Sequence, residues 1–266
     1  MNFINSEINN ITEKDSTLEF QNNLEKGRTY TFRIEPQSVD FQYKVRLSAL
    51  TDILLTTAGF NADDNGFGMR LLHSMNYAWV LLRMAIEMDI FPLQYENIHV
   101  KTWIEHVGRA TTTRHFRIYN DRNEIIGKAS SVWAMIDMKT RKAQDLSVLK
   151  GIQDFAHGDS INIEKPIKIN AIEGVLKDSF KIKYSDIDIN GHANSIRYID
   201  WISNCFSLEI YRLKKLKRFE INFMNEMMYD DKVEIYMQQL TTNDFQFEIR
   251  KENTVSCRAQ INYSET

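Results

Sequence analysis

The 266-residue chain carries 33 basic and 36 acidic residues, a net charge of −3, with 43% hydrophobic residues. That length supports one large domain or two small ones with a sizeable core, and a charge balanced between the halves (13 basic against 14 acidic residues from Lys177 onward) argues against a general nucleic-acid role. No run of about eighteen apolar residues offers a membrane span, and Cys205 and Cys257 sit in apolar-patterned stretches without metal-ligand spacing, as free thiols of a cytoplasmic protein would.

Residues 1–27 are rich in Asn and acidic residues and contain no Arg, so they read as a polar leader rather than a signal or transit peptide. The alternation in TYTFRIE at 29–35 predicts a strand with Tyr30, Phe32 and Ile34 on one face. Leu47, Leu50, Ile53, Leu54 and Ala58 then carry a helical period that Gly59 is expected to end. Turn residues dominate NADDNGFG at 61–68, which reads as a loop before a short helix at 69–75. Strand patterns follow at 79–88, through Ile98 and Ile104, at 111–119 and at 125–138, with a turn at 120–123.

Between 146 and 175 the periodicity weakens, Gly158 and Pro166 appear, and a linker is expected. The order then repeats: a strand near 178–184, a helix over about 194–211, and strands near 218–226, 232–239, 245–251 and 256–263. One long helix wrapped by an antiparallel sheet, presented twice, predicts an α+β double hotdog with tandem domains at 28–145 and 176–266.

The chemistry concentrates at 184–201, YSDIDINGHANSIRYIDW. An extended backbone there would point Asp188, Asn190 and His192 to one face. Ile196, Ile199, Trp201, Ile202 and Phe206 continue at helical spacing, and Asn194 or Ser195 fits the cap, so the cluster precedes a helix N-terminus. The plainer reading is that Asp188 caps a turn made by Asn190–Gly191, a common turn dipeptide.

Several stretches together resemble the acyl-acyl-carrier-protein (acyl-ACP) thioesterases of fatty acid synthesis, a tandem-hotdog family. They are DIDINGHANSIRYIDWI at 186–202, SSVWAMIDMKTRKAQDL at 130–146, GFG at 66–68, WVLLRMAIEMDIFP at 79–92 and NEMMYDDKVEI at 225–235. The resemblance implies that the second hotdog holds the chemistry and the first shapes the acyl pocket. QYKVRLSAL at 42–50 offers no counterpart to the Asp188, Asn190 and His192 set. Glu226 aligns with an acidic member of the family's catalytic network. The plant enzymes place a cysteine next; here it is Met227, whose thioether is no nucleophile.

The resemblance thus implies a cofactor-free, metal-free thioester hydrolase. Asp188 would activate water or attack directly, and Asn190 would fix geometry. His192 would orient substrate or water, Glu226 would hold His192 or share the base role, and amides around 192–194 would polarise the carbonyl. Trp79 and Trp133 are candidates for an acyl tunnel, though ordinary core is the simpler reading of each. The run RLKKLKR, with Arg212, Lys214, Lys215, Lys217 and Arg218, could dock an acidic acyl carrier protein or simply solvate a helix end.

Two neighbouring readings remain. One is an acyl-coenzyme A thioesterase; the other is a non-catalytic acyl-binding hotdog. Hotdog hydratases carry a proline after the asparagine and a histidine five positions after the aspartate, whereas here Gly191 follows Asn190 and His192 comes four after Asp188. A monomer and a homodimer both fit the chain.

Overall fold

The computed structural model describes residues 27–158 and 160–265. All of the expected leader except Gly27 lies outside the described residues.

Ten strands form one antiparallel sheet in the order β1-β3-β4-β5-β2-β7-β10-β9-β8-β6. The first half supplies β1 (Arg28–Arg33), β2 (Tyr77–Met88), β3 (Asn97–Val107), β4 (Thr111–Asn120) and β5 (Ile125–Asp137). The second supplies β6 (Val175–Lys181), β7 (Lys214–Phe223), β8 (Lys232–Gln239), β9 (Asp244–Lys251) and β10 (Thr254–Glu265). From either edge inward the halves have the same order. They join where β2 pairs with β7, from Arg83 opposite Asn222 to Glu87 opposite Arg218.

The helices α1 (Leu47–Asp64) and α3 (Ser195–Ser203) pack against each other. Leu50, Leu54 and Ala58 of α1 and Ile199 and Ile202 of α3 enter a core that runs across both halves. Burial of those apolar stripes, worth about 25 cal/mol per Å², fixes the helices on the sheet. The strands alternate accordingly: Met84, Ile86 and Met88 of β2 and Phe219 and Ile221 of β7 join the same core.

Three expectations change. First, α1 does not stop at Gly59 but continues to Asp64, through the first half of the expected 61–68 loop. The stop is Gly66 at φ +80°, where its N–H donates to Asp63 O at 3.0 Å and the Phe67 N–H to Ala62 O at 3.0 Å. That pair of bonds is the helix-ending pattern that needs a left-handed residue, a role Gly59 does not fill. The short α2 (Met69–Ser74) follows as expected.

Second, the expected 194–211 helix is two: α3 ends at Ser203, and α4 (Leu208–Leu213) starts afresh. Phe206 between them packs on Phe245, Phe247 and Tyr263 at ring separations of 5.0–5.6 Å. It kept the helical hydrophobic spacing while lying outside either helix.

Third, the weakly patterned 146–175 stretch is packed rather than a loose connector. Leu146, Leu149 and Ile152 are buried with Phe67, Leu72 and Met135 in a second cluster. Further on, the Asn222 side chain accepts from Ile169 N at 2.9 Å and donates to Ile167 O at 3.0 Å. The stretch therefore covers the polar outer face of the β2–β7 junction and satisfies the buried Asn222.

Candidate active site

The Asp188–His192 segment is a tight turn rather than an extended backbone. The Asp188 N–H donates to His192 O at 2.8 Å, and Gly191 N–H to Asp188 O at 3.1 Å, with Gly191 at φ +82°. Asp188 Oδ1 lies inside the turn, accepting from Asn190 N at 2.8 Å and His192 N at 3.3 Å. The plainer reading of Asp188 as a turn cap therefore describes what Oδ1 does. Asn194 caps α3 by accepting from Ile196 N at 3.0 Å.

The amides expected to polarise a carbonyl are otherwise engaged. His192 N binds Asp188, Ala193 N donates to Met227 O at 2.8 Å, and Asn194 N to Asp186 O at 2.8 Å. A donor has to come from elsewhere. The Asn190 side chain is exposed on the turn and, among the described residues, makes no side-chain hydrogen bond. At Gly191 a Cβ would meet nothing within 4 Å, so the turn is open to an incoming group.

Glu226 lies just past the end of β7, on the irregular return rather than on the expected strand. Its Oε2 is 3.4 Å from His192 Nε2, and an antiparallel bridge between His192 and Met228 holds the two segments in register. His192 and Glu226 thus meet ahead of α3, on the turn that also carries Asn190. The other oxygen of Glu226 pairs with Arg141, which sequence reasoning did not single out.

The first half contains the same turn. Asp40 Oδ1 accepts from Gln42 N at 2.7 Å and Lys44 N at 3.1 Å, and Asp40 N donates to Lys44 O at 2.8 Å. Val45 N donates to Pro92 O and Arg46 N to Ser38 O, matching Ala193 to Met227 and Asn194 to Asp186. The return strands repeat too: Leu93 N binds the Glu96 carboxylate as Met228 N binds that of Asp231, each at 2.8 Å. So Asp40, Gln42 and Lys44 are the counterparts of Asp188, Asn190 and His192, against the expectation of none. The signal was present as D-x-Q-x-K, with Asp40 just upstream of 42–50. Phe91 stands where Glu226 does. What the halves share belongs to the fold; the facing His192 and Glu226 are particular to the second turn.

Residues 26–152 match the acyl-ACP thioesterase N-terminal domain, and residues 169–265 match the C-terminal domain of the same family. The chain belongs to the acyl-ACP thioesterase family. A crystal structure of an acyl-ACP thioesterase from Bacteroides thetaiotaomicron is 40% identical, with a TM-score of 0.86 over 90% of this chain and 98% of that one. The 12:0-ACP thioesterase from Umbellularia californica, 18% identical over 91% of this chain and 98% of that one, shares the fold with a TM-score of 0.79. Oleoyl-acyl carrier protein thioesterase 2 of Arabidopsis thaliana is 25% identical over 88% of this chain and 69% of its own length. A palmitoyl-acyl carrier protein thioesterase of the same plant is 28% identical over 64% of this chain and 43% of its own length.

Met227 is fully buried in the core. Cys205 and Cys257 are free, and burial pushes the Cys205 thiol up to about 11 and the Cys257 thiol upward as well, which keeps both protonated near neutrality. Met227→Leu is expected to leave kcat within about twofold because it conserves volume, whereas Met227→Ala costs about 2–5 kcal/mol of stability through a cavity. Denaturant unfolding and initial rates on the same samples check this.

The remaining candidates are held within the fold. The Trp79 indole donates to Phe67 O at 3.1 Å and that of Trp133 to Ser131 Oγ at 2.8 Å, with both rings packed on core clusters. Only Arg212 of the basic run is at a helix end, in the last turn of α4; Lys214, Lys215, Lys217 and Arg218 are on β7. Arg218 is tied to Glu87 and Glu220, and Lys214 to Thr242 O and Asn243. Lys217 and Arg212 remain exposed and Lys215 half-buried, so at most these three face outward.

Proposed function

We propose that the chain hydrolyses fatty acyl-ACP thioesters to free fatty acid through a site built on Asn190, His192 and Glu226. The observation that carries this reading is the facing of Glu226 Oε2 and His192 Nε2 on a turn whose first-half counterpart has Phe91 and Lys44 in those places. A carboxylate only accepts, so in the neutral ring Nε2 carries the proton and Nδ1 keeps the lone pair. His192 would take a proton from water as its oxygen attacks the carbonyl carbon. The Asn190 carboxamide would donate to the resulting oxyanion, a contact worth about 3 kcal/mol. Collapse breaks the C–S bond, and His192 returns the proton to the departing thiol.

Asp188 acts in this scheme by holding the turn that aims Asn190 and His192. The first half would shape the acyl pocket. An open groove of about 290 Å³ there is lined by Phe67, Leu71, Met75, Leu149, Ile152 and Phe155. Arg212, Lys215 and Lys217 would attract the acidic carrier. Two hotdog halves on one sheet support a functional monomer, and two free thiols support a cytoplasmic setting. No helix of the described residues is long and apolar enough to cross a membrane.

The test is thiol release from acyl-ACP and acyl-coenzyme A of the same chain lengths. The expected kcat/KM is at least about tenfold higher for the carrier substrate, and Lys215→Glu/Lys217→Glu raises KM for that substrate alone. Equal use of both thioesters, with no effect of the charge reversal, would favour the coenzyme A reading. Acyl binding without any release would favour the non-catalytic one.

A further inference from the structure

The guanidinium of Arg141 pairs with Glu226 Oε1 from 85 residues away in the chain. It comes from the first half, whereas the site belongs to the second. Among the described residues, no other first-half side chain bonds to Asp188, Asn190, His192 or Glu226. Arg141 lies in the 130–146 stretch, which has no assigned part in the reaction.

The segment that presents it is held on several sides. Arg141 has φ +58°, a left-handed conformation unusual for a residue with a side chain. The turn is fixed by Asp137, whose Oδ1 accepts from Thr140 N at 2.7 Å and Lys139 N at 3.0 Å and whose carbonyl accepts from Arg141 N at 2.8 Å. The bond from the Thr140 backbone foremost holds the Asp137 carboxyl below the usual carboxylate range. Asn76 Nδ2 donates to the second Asp137 oxygen at 2.9 Å, and Asn76 O accepts from Met138 N at 2.9 Å. A strained backbone persists where its surroundings over-determine it.

The pair itself is too exposed to matter for stability, with relative side-chain exposures of 42% and 44%. Its geometric effect is specific. With Oε1 on Arg141, Oε2 is the oxygen left to face His192 Nε2. The Glu226 side chain stands on irregular backbone and is otherwise free to rotate into solvent.

We propose that Arg141 is a positioning residue for thioester hydrolysis, supplied by the first hotdog to lock the Glu226 carboxylate in the orientation that aligns His192. The inference rests on the reading that Glu226 orients His192. It makes the site a composite of both halves, one giving the reacting groups and the other their alignment.

The test is a double-mutant cycle on Arg141→Gln and Glu226→Gln, read as kcat and KM for dodecanoyl-ACP and hexadecanoyl-ACP, with thermal unfolding as a control. Arg141→Gln is expected to lower kcat on the order of 10- to 100-fold, with KM and melting temperature nearly unchanged. In the Glu226→Gln background it should cost little further, because the carboxylate oxygen that Arg141 would aim at His192 is gone even if the amide oxygen still accepts from the guanidinium. Arg141→Lys, or guanidinium at millimolar concentration added to Arg141→Gln, should restore part of the rate. An effect confined to KM, or losses that multiply in the double variant, would overturn the inference and leave Arg141 as a substrate contact or a structural residue. A fully active Glu226→Gln enzyme would overturn the site reading and the inference with it. An impaired Glu226→Gln beside an unimpaired Arg141→Gln would overturn the inference alone.

Discussion

Asp188→Ala is expected to lower kcat on the order of 10²- to 10³-fold, whereas Asp188→Asn should keep activity within about tenfold of the unaltered chain. The two substitutions separate a positioning role from a base. Oδ1 of Asp188 accepts from the amides of Asn190 and His192, and an asparagine oxygen in the same place accepts from both. Alanine removes the acceptor, strands two amides and frees the turn that aims the reacting side chains. Asp40 does the same work in the first half, where Lys44 and Phe91 stand in the places of His192 and Glu226, so the cap is a property of the fold. If Asp188 were the group that activates water, Asn would be as damaging as Ala. Initial rates on acyl-ACP for both variants decide it.

His192→Gln carries the other large effect, a fall on the order of 10³-fold in kcat with little change in KM, since the ring acts on the proton in the transition state rather than on the bound substrate. Glutamine keeps a donor for Glu226 but offers no ring nitrogen to take up and return the proton. Lys44 stands at this position in the first half, and its counterpart of Glu226 is Phe91. Single-turnover rates at saturating acyl-ACP measure the effect without interference from product release.

Most strands were legible from period-2 alternation because each buries one face on a common core. Features set by contacts across the chain were not. Gly59 carried the local signal for a helix end, but the end needs a left-handed residue with two bonds back into the helix, and Gly66 supplies it. Phe206 kept helical spacing while packing between elements on Phe245, Phe247 and Tyr263. The cations from Lys214 onward looked like a helix end, yet pairing of β7 with β10 and β2 overrides that local preference.

The site divides the same way. Asp188, Asn190 and His192 were readable because they are close in sequence, although as a turn rather than a strand. Glu226 came only through resemblance, since an isolated acidic residue at a strand end carries no signal of its own. Arg141 had none either: its partner is 85 residues away, and its turn looks like any hairpin connection. The occupied amides of His192, Ala193 and Asn194 were equally invisible, because their acceptors lie on Asp188, Met227 and Asp186. With those amides occupied, the proposed donor to the oxyanion is the Asn190 side chain.

The central claim is hydrolysis of a carrier-bound thioester without a cysteine nucleophile. Its most direct measurement is the turnover of dodecanoyl-ACP by a Cys205→Ala/Cys257→Ala chain, followed by thiol release. Turnover within about threefold of the unaltered chain is predicted, because both thiols are held protonated by burial and neither belongs to the site. Loss of turnover in a folded cysteine-free chain would contradict the account.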